Sequence, residues 1–421
     1  MNKIVTGILS GKVTPPPSKS QAHRLLICAA LSDAPSTIEC DSLNDDLRAT
    51  MESLNALGAE ITYSNRVFDV KPVESCKGGE LPCGESGSTL RFLLPVAAAL
   101  GSDATLTGKG KLPYRPMEPL CEAITRHGIE LINHSDEAHL PLTCKGKLKG
   151  GEYTLAGDIS SQYFTGLLFA LPLLDEASNI NITGELTSAS YVGMTLDALR
   201  IAGVNIEKSA TGFHIPAPQR YHTPSPLRVE GDWSAAAFWL VAGVIGSNPI
   251  TICGMNAESL QGDRYIVEHL RKMGADIRFT DEGITAMPST LHGTELDCMD
   301  TPDLVPILSI AATAAEGDTT FTHVGRLRYK ESDRLAAMKA LLEAFGINSE
   351  IGEDTYTVTG GKPVAQRPID SFGDHRIAMS AAILATIAEG TTTVIGAECV
   401  AKSYPLFFED FTALGGKAEN I

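Results

Sequence analysis

Residues 84–100 read GESGSTLRFLLPVAAAL, a short polar turn that runs straight into an apolar stretch of helical character. The same arrangement occurs six times. The apolar runs are Arg24 to Leu31, Leu90 to Leu100, Phe164 to Leu174, Ala235 to Ile245, Val305 to Ala315 and Ile377 to Ala388. Their ends recur at intervals of 69, 74, 71, 70 and 73 residues. A more amphipathic stretch follows each run and stops at a glycine, at Gly58, Gly128, Gly203, Gly274, Gly346 and Gly415, spaced by 70, 75, 71, 72 and 69. Glycine there is the expected left-handed end of a helix. Two independent markers with one period predict a six-fold internal repeat.

Alternation and a polar turn predict strand pairs after the helices, as in Glu60 to Val70 around Asn65 and in Asn205 to Ile215 with Gly212 in the turn. Short strands such as Tyr153 to Leu155 and Leu227 to Val229 are expected to lead into the next apolar helix. After Gly415 too few residues remain for a hairpin, whereas Met1 to Val13 reads as surplus strand at the other end. The simplest closure pairs the two termini. The expected class is therefore α/β (α+β) with two domains of three βαββαβ-type units each. One is discontinuous, residues 1–16 plus 229–421; the other, residues 17–228, is inserted between prolines.

Composition narrows the function. The chain has 421 residues, 43% of them hydrophobic, which is ample for real cores. No apolar stretch reaches the ~18 residues of a membrane span. Nine cysteines without a CxxC spacing, and no secretory or transit character in Met1 to Lys12, predict free thiols in the cytoplasm. No His and Cys cluster has metal-ligand spacing. A net charge of −17 argues against nucleic-acid or anionic-membrane partners.

Against that acidic background, cations collect in the opening turns. Lys19 and Arg24 lie in the first, Arg91 in the second and Arg376 in the sixth. Ser or Asp at such places is ordinarily just an N-cap. A cation near a helix start opposes the dipole, so four of them call for another reason, and an anion supplies it. Two sets of three helix starts are expected to face one interdomain cleft. Basic residues recur in Tyr114-Arg115-Pro116 and in Tyr329-Lys330-Glu331-Ser332-Asp333-Arg334, where Ser332 is the expected cap of a helix beginning near Leu335.

Seven segments in order, PSKSQAHR, GESGSTLR, YRP, SSQ, KESDR, DHR followed by Ala-Met, and AKSYP, make the chain resemble the 5-enolpyruvylshikimate-3-phosphate synthases from about Pro15 to Pro405. The resemblance implies an inside-out α/β barrel in each domain and a monomer that needs no cofactor or metal. It also implies transfer of the enolpyruvyl group of phosphoenolpyruvate to the 5-hydroxyl of shikimate 3-phosphate, with release of phosphate. Carried over by position, Lys19, Arg115 and Lys402 would hold the phosphoenolpyruvate phosphate, Arg334 and Arg376 its carboxylate, and Gly87 would line its pocket. Ser20, Arg24, Ser160, Ser161, Tyr191 and Lys330 would hold shikimate 3-phosphate, with Asp303 on its hydroxyls. Gln162 and Lys19 would serve both substrates. Asp303, Glu331 and Lys19 would carry the proton transfers. Glu85 and Arg326 stand where members of the family commonly have Asn. The sister family acting on UDP-N-acetylglucosamine usually has a reactive Cys in the loop before its Arg-Pro; here that loop, residues 108–113, reads GKGKLP. An RNA 3′-phosphate cyclase shares the repeat-type architecture, but the acidic charge argues against it.

Overall fold

The computed structural model describes every residue, Met1–Ile421. The apolar runs form six helices, Lys19–Ala30, Gly87–Leu100, Ser161–Ala170, Trp233–Ile245, Val305–Thr313 and His375–Leu384, and nearly all their residues are buried. Helices apolar all round belong in cores. Five open on a side-chain cap that satisfies an otherwise orphaned backbone N–H. Ser18 accepts from the Gln21 amide at 3.3 Å, Ser86 from Thr89 at 3.1 Å, Ser160 from Gln162 at 3.3 Å, Asp232 from Ala235 at 2.9 Å and Asp374 from Arg376 at 3.0 Å. The fifth helix instead enters through the 3-10 turn Pro302–Leu304 with Pro306 in its first turn, where a missing N–H costs nothing.

The companion helices are Asp45–Leu57, Glu118–Thr125, Ala189–Ile201, Ile266–Lys272, Arg334–Ala344 and Phe407–Ala413. All six glycines named above have positive φ, between 72° and 114°. That conformation strains any residue with a Cβ, which is why the amphipathic runs end there.

Six four-stranded sheets accompany these helices. Gly151–Ala156 runs parallel to Ser178–Thr183, which pairs antiparallel with Gly212–Ile215, itself antiparallel to Glu207–Lys208. The buried helix Ser161–Ala170 is the crossover between the parallel strands. The same order holds for Gly79–Pro82, Ala104–Thr107, Leu142–Gly146 and Ile129–Asn133, and again for Glu295–Asp297, Asp318–Thr322, Thr355–Thr359 and Ser349–Ile351.

The remaining three sheets are completed from far along the chain, and here the sequence expectation is corrected. Leu227–Arg228 precedes the fourth buried helix in the chain, as expected, but it does not join that helix's sheet. It pairs back with Ile38 and Glu39 of Ser36–Glu39, and Gly11–Val13 takes the leading place beside Ile250–Ile252. The residues after Gly415 form one strand, Gly416–Asn420, antiparallel to Asn2–Gly7, which pairs on its other edge with Thr392–Ile395. The first strand thus stands in for the missing half of the last hairpin.

The chain divides into two compact units, Met1–Pro16 with Glu230–Ile421, and Pro17–Val229. Each has its own apolar core. No helix is long and apolar enough to cross a membrane.

Candidate active site

In the unit Pro17–Val229, the starts of three buried helices are tied together by side chains. Lys19 Nζ donates to Asp46 Oδ2 at 2.9 Å, with both side chains largely buried. The Asp46 carbonyl accepts from Thr89, and Thr89 donates to the cap hydroxyl of Ser86 at 2.8 Å. A parallel chain runs from His23 Nδ1 to Thr50 Oγ1 and on to Thr89 Oγ1, each step 2.7 Å. Burial pushes His23 down to about 3, so it is neutral.

Arg24 is buried and donates from Nε to Thr195 Oγ1 at 2.9 Å, from Nη1 to the Ser20 carbonyl at 2.6 Å and from Nη2 to the Tyr191 carbonyl at 2.8 Å. Thr195 also bonds Thr165 at 2.9 Å. These contacts tie Ala189–Ile201 to the first helix and, through Thr195 and Thr165, to Ser161–Ala170, and they set Tyr191 beside Arg24.

Arg91 donates to Gln162 Oε1 at 2.8 Å and to the Pro116 carbonyl at 3.0 Å, and Gln162 Nε2 donates to Ser88 Oγ at 3.2 Å. Gly87, the first residue of its helix, is where two guanidiniums converge. A Cβ there would lie 2.7 Å from Arg91 Nη1 and 2.9 Å from Arg115 Nη1. A helix start with two guanidiniums above it has the chemistry that suits an anion. Close approach of backbones makes it possible: a Cβ on Gly166 would lie 2.2 Å from the Arg91 carbonyl.

The unit holding Glu230–Ile421 has a different cluster. Arg334 is buried, and each of its nitrogens meets a carboxylate: Nε meets Asp374 Oδ2 at 2.9 Å, Nη1 meets Asp303 Oδ1 at 2.7 Å, and Nη2 meets Glu331 Oε2 at 2.6 Å. Arg376 Nη2 donates to Asp303 Oδ2 at 3.0 Å and to Ser234 Oγ at 3.2 Å, and Nη1 donates to the Asp303 carbonyl at 3.1 Å. Three opening turns are again joined, here through Ser234, Asp303 and Arg376. Lys330 Nζ stands 3.6 Å from Asp303 Oδ1. Lys402 is buried at the end of the 3-10 segment Ala397–Lys402, which packs on the helix carrying Arg376.

The electrostatics follow. Burial works to raise Asp303, but Arg376, Lys330 and Arg334 outweigh it and hold the carboxyl well below its ordinary range. Burial lowers Lys330 to about 8, with Arg334 and Arg326 adding to the effect against Asp303. Burial would lower Arg334, but Asp374, Glu331 and Asp303 hold it well above its ordinary value.

Within the second cluster the structure brings together Asp303, Lys330, Glu331, Arg334 and Arg376; within the first it brings together Lys19, Ser20, Arg24, Gly87, Arg115, Ser160, Ser161, Gln162 and Tyr191. One local expectation changes. The helix cap is Asp333, which accepts from the Ala336 amide at 3.1 Å, and Ser332 instead donates to Asp374 at 3.0 Å. Asp46 and Asp374 escaped sequence reasoning because an Asp at a helix start reads as a cap or a dipole partner. Asp374 is that too, with Oδ1 on the backbone while Oδ2 serves Arg334.

The profile of the EPSP synthase (3-phosphoshikimate 1-carboxyvinyltransferase) family matches residues 5–411. The chain belongs to the EPSP synthase family. The 3-phosphoshikimate 1-carboxyvinyltransferase of Clostridium kluyveri is 42% identical over 413 residues, covering 98% of this chain and 96% of that one. The enzyme of the same name from Clostridium acetobutylicum is 41% identical over 420 residues, covering 98% and 97%. Among solved structures, EPSP synthase from Acinetobacter baumannii superposes with a TM-score of 0.80 at 25% identity over 100% of both chains. As a family member the chain is an enzyme, and it moves the enolpyruvyl group of phosphoenolpyruvate to shikimate 3-phosphate in the shikimate pathway to the aromatic amino acids.

Proposed function

We propose that the acceptor is the 5-hydroxyl of shikimate 3-phosphate, and that transfer proceeds by addition to the enol carbon followed by elimination of phosphate. The observation that carries this reading is Asp303, held between Arg334 and Arg376 with Glu331 on the next nitrogen of Arg334. Arg334 and Arg376 take the phosphoenolpyruvate carboxylate, for which a planar, permanently charged fork is suited. Lys19, Arg115 and Lys402 take its phosphate at the rim marked by Gly87. Ser20, Arg24, Ser160, Ser161, Tyr191 and Lys330 hold shikimate 3-phosphate, and Gln162 and Lys19 touch both substrates.

Proton transfer then has a physical trigger. With Arg334 and Arg376 on it, Asp303 is too acidic to be a good base. An incoming carboxylate that shares those guanidiniums removes part of its counter-charge, and its proton affinity rises when the hydroxyl is in place. Lys19 gives a proton to the methylene carbon, and Glu331, released in the same exchange as a carboxylate, takes a proton back from the resulting methyl group as phosphate leaves.

We further propose that the two compact units are the enzyme's two domains, each an inside-out barrel of three βαββαβ-type repeats. We propose a monomer, with both residue sets carried by one chain. A cytoplasmic location fits nine free cysteines, and a net charge of −17 disfavours nucleic acid as a partner.

The test is phosphate release from phosphoenolpyruvate with shikimate 3-phosphate as acceptor, and with UDP-N-acetylglucosamine as the control, which is expected to be inert. Asp303→Asn and Glu331→Gln are each expected to lower turnover by about 10²- to 10⁴-fold. Full turnover in both variants would overturn the assignment.

A further inference from the structure

Asp263 lies buried in the short 3-10 turn Gly262–Tyr265 and takes no part in the steps above. Its Oδ2 accepts the hydroxyl proton of Ser234, while its Oδ1 has no hydrogen-bond partner. Ser234 Oγ accepts from Arg376 Nη2 at 3.2 Å, and that same nitrogen donates to Asp303 Oδ2 at 3.0 Å. One guanidinium nitrogen is therefore shared by two carboxylates, one directly and one through a hydroxyl.

The surroundings give Asp263 little reason to stay charged. Asp232 faces it from the start of Trp233–Ile245, Asp303 from the turn Pro302–Leu304, and Arg376 from His375–Leu384. Its neighbour Arg264 turns away to the Ala257 carbonyl. Lys330, Glu331 and Arg334 gather on Asp303 or on one another rather than on Asp263. Two further acids thus act on Asp263 against the one guanidinium of Arg376, and a buried carboxylate with an unsatisfied oxygen is costly. Burial first, and then the charge of Asp303, push Asp263 up to about 7 against the pull of Arg376 and Ser234.

We propose that Asp263 is a positioning residue for Arg376, and that it takes a proton from solvent when a substrate carboxylate arrives at that guanidinium. Before arrival, the ionised Asp263 orients the Ser234 hydroxyl so that its lone pair receives Arg376 Nη2–H. A third carboxylate at Arg376 adds one negative charge beside a buried carboxylate that already has an unsatisfied oxygen. One proton on Asp263 cancels that charge, and the acid then donates to Ser234 Oγ. The inference rests on the reading of Arg376 as a ligand of the phosphoenolpyruvate carboxylate.

The experiment measures KM for phosphoenolpyruvate between pH 7 and 8.5 with shikimate 3-phosphate saturating. The second ionisation of a phosphate, near pH 6, is complete across that range. In the unaltered enzyme KM rises several-fold with pH, bounded by about tenfold per pH unit for one coupled proton, while kcat moves less. Asp263→Asn flattens the rise. Ser234→Ala raises KM at every pH and keeps the slope, because it breaks the relay and leaves the charge. A slope in Asp263→Asn equal to that of the unaltered enzyme overturns the proposal. Should that variant fail to fold, the unaltered enzyme decides alone. Phosphoenolpyruvate is titrated calorimetrically at pH 7.5, in two buffers of different ionisation enthalpy, into enzyme carrying a shikimate 3-phosphate analogue without the 5-hydroxyl. Zero uptake overturns the proposal; net uptake that persists in Asp303→Asn supports it, and uptake lost in that variant overturns it. Arg376→Lys separates the levels. An unchanged KM there removes the underlying site reading, whereas a raised KM beside an unflattened Asp263→Asn removes only the proton coupling.

Discussion

Arg91 and Arg334 are both buried guanidiniums near a helix start, yet their neighbours differ in charge. Arg91 donates to an amide oxygen and a backbone carbonyl, and Arg24 close by donates to two carbonyls and a hydroxyl. Arg334 meets three carboxylates. Neutral acceptors satisfy hydrogen bonds and leave the positive charge standing, which is why the proposed function gives phosphate to the first region. Carboxylates satisfy and neutralise together, so an anion enters the second region only by exchange. Exchange is what a proton-transfer site needs, because it changes the basicity of the acid that is displaced.

The largest test of that contrast is stability. Arg334→Leu removes the partner of three carboxylates and is expected to cost about 3–5 kcal/mol, whereas Arg91→Leu, which breaks the bonds to Gln162 and the Pro116 carbonyl, is expected to cost about 1–3 kcal/mol. Equal losses in denaturant unfolding of the two variants would break the comparison. Next in size is Arg115→Ala. Loss of a charge-assisted bond of about 1.5–3 kcal/mol predicts a roughly ten- to hundredfold rise in KM for phosphoenolpyruvate, relieved less by pH than the Arg376 contacts are. Gly87→Ala follows. Its methyl would press on both Arg91 and Arg115, and a few-fold rise in the same KM with little loss of fold is expected in steady-state kinetics. The smallest effect is at Lys330. Its lysine, lowered to about 8, loses charge as pH rises through that value, so KM for shikimate 3-phosphate climbs above pH 8. Lys330→Arg is expected to flatten the climb.

The buried helices were legible because a capped polar turn before an apolar run has few other readings, and the glycines that end their companions all take positive φ. Long-range strand pairing was not. Leu227–Arg228 and Gly11–Val13 are two and three residues long, and nothing local distinguishes a strand that leads forward from one that pairs back with Ile38. Charges that break a local rule stood out in the site, such as Arg376 at a helix start. Acids that obey one did not. Asp374 caps a helix while gripping Arg334, and Asp263 sits in an ordinary-looking Gly-Asp-Arg-Tyr stretch whose burial shows only in three dimensions.

Asn2–Gly7 lies hydrogen-bonded between Thr392–Ile395 and Gly416–Asn420. On the ribosome, the earliest-made strand must therefore wait for nearly the last residues before it finds either neighbour. Every strand of Pro17–Val229 pairs within that stretch, so the insert is free to fold first while the leading peptide stays unattached. A nascent chain halted after Val229 is then a folded globule with a loose amino-terminal tail.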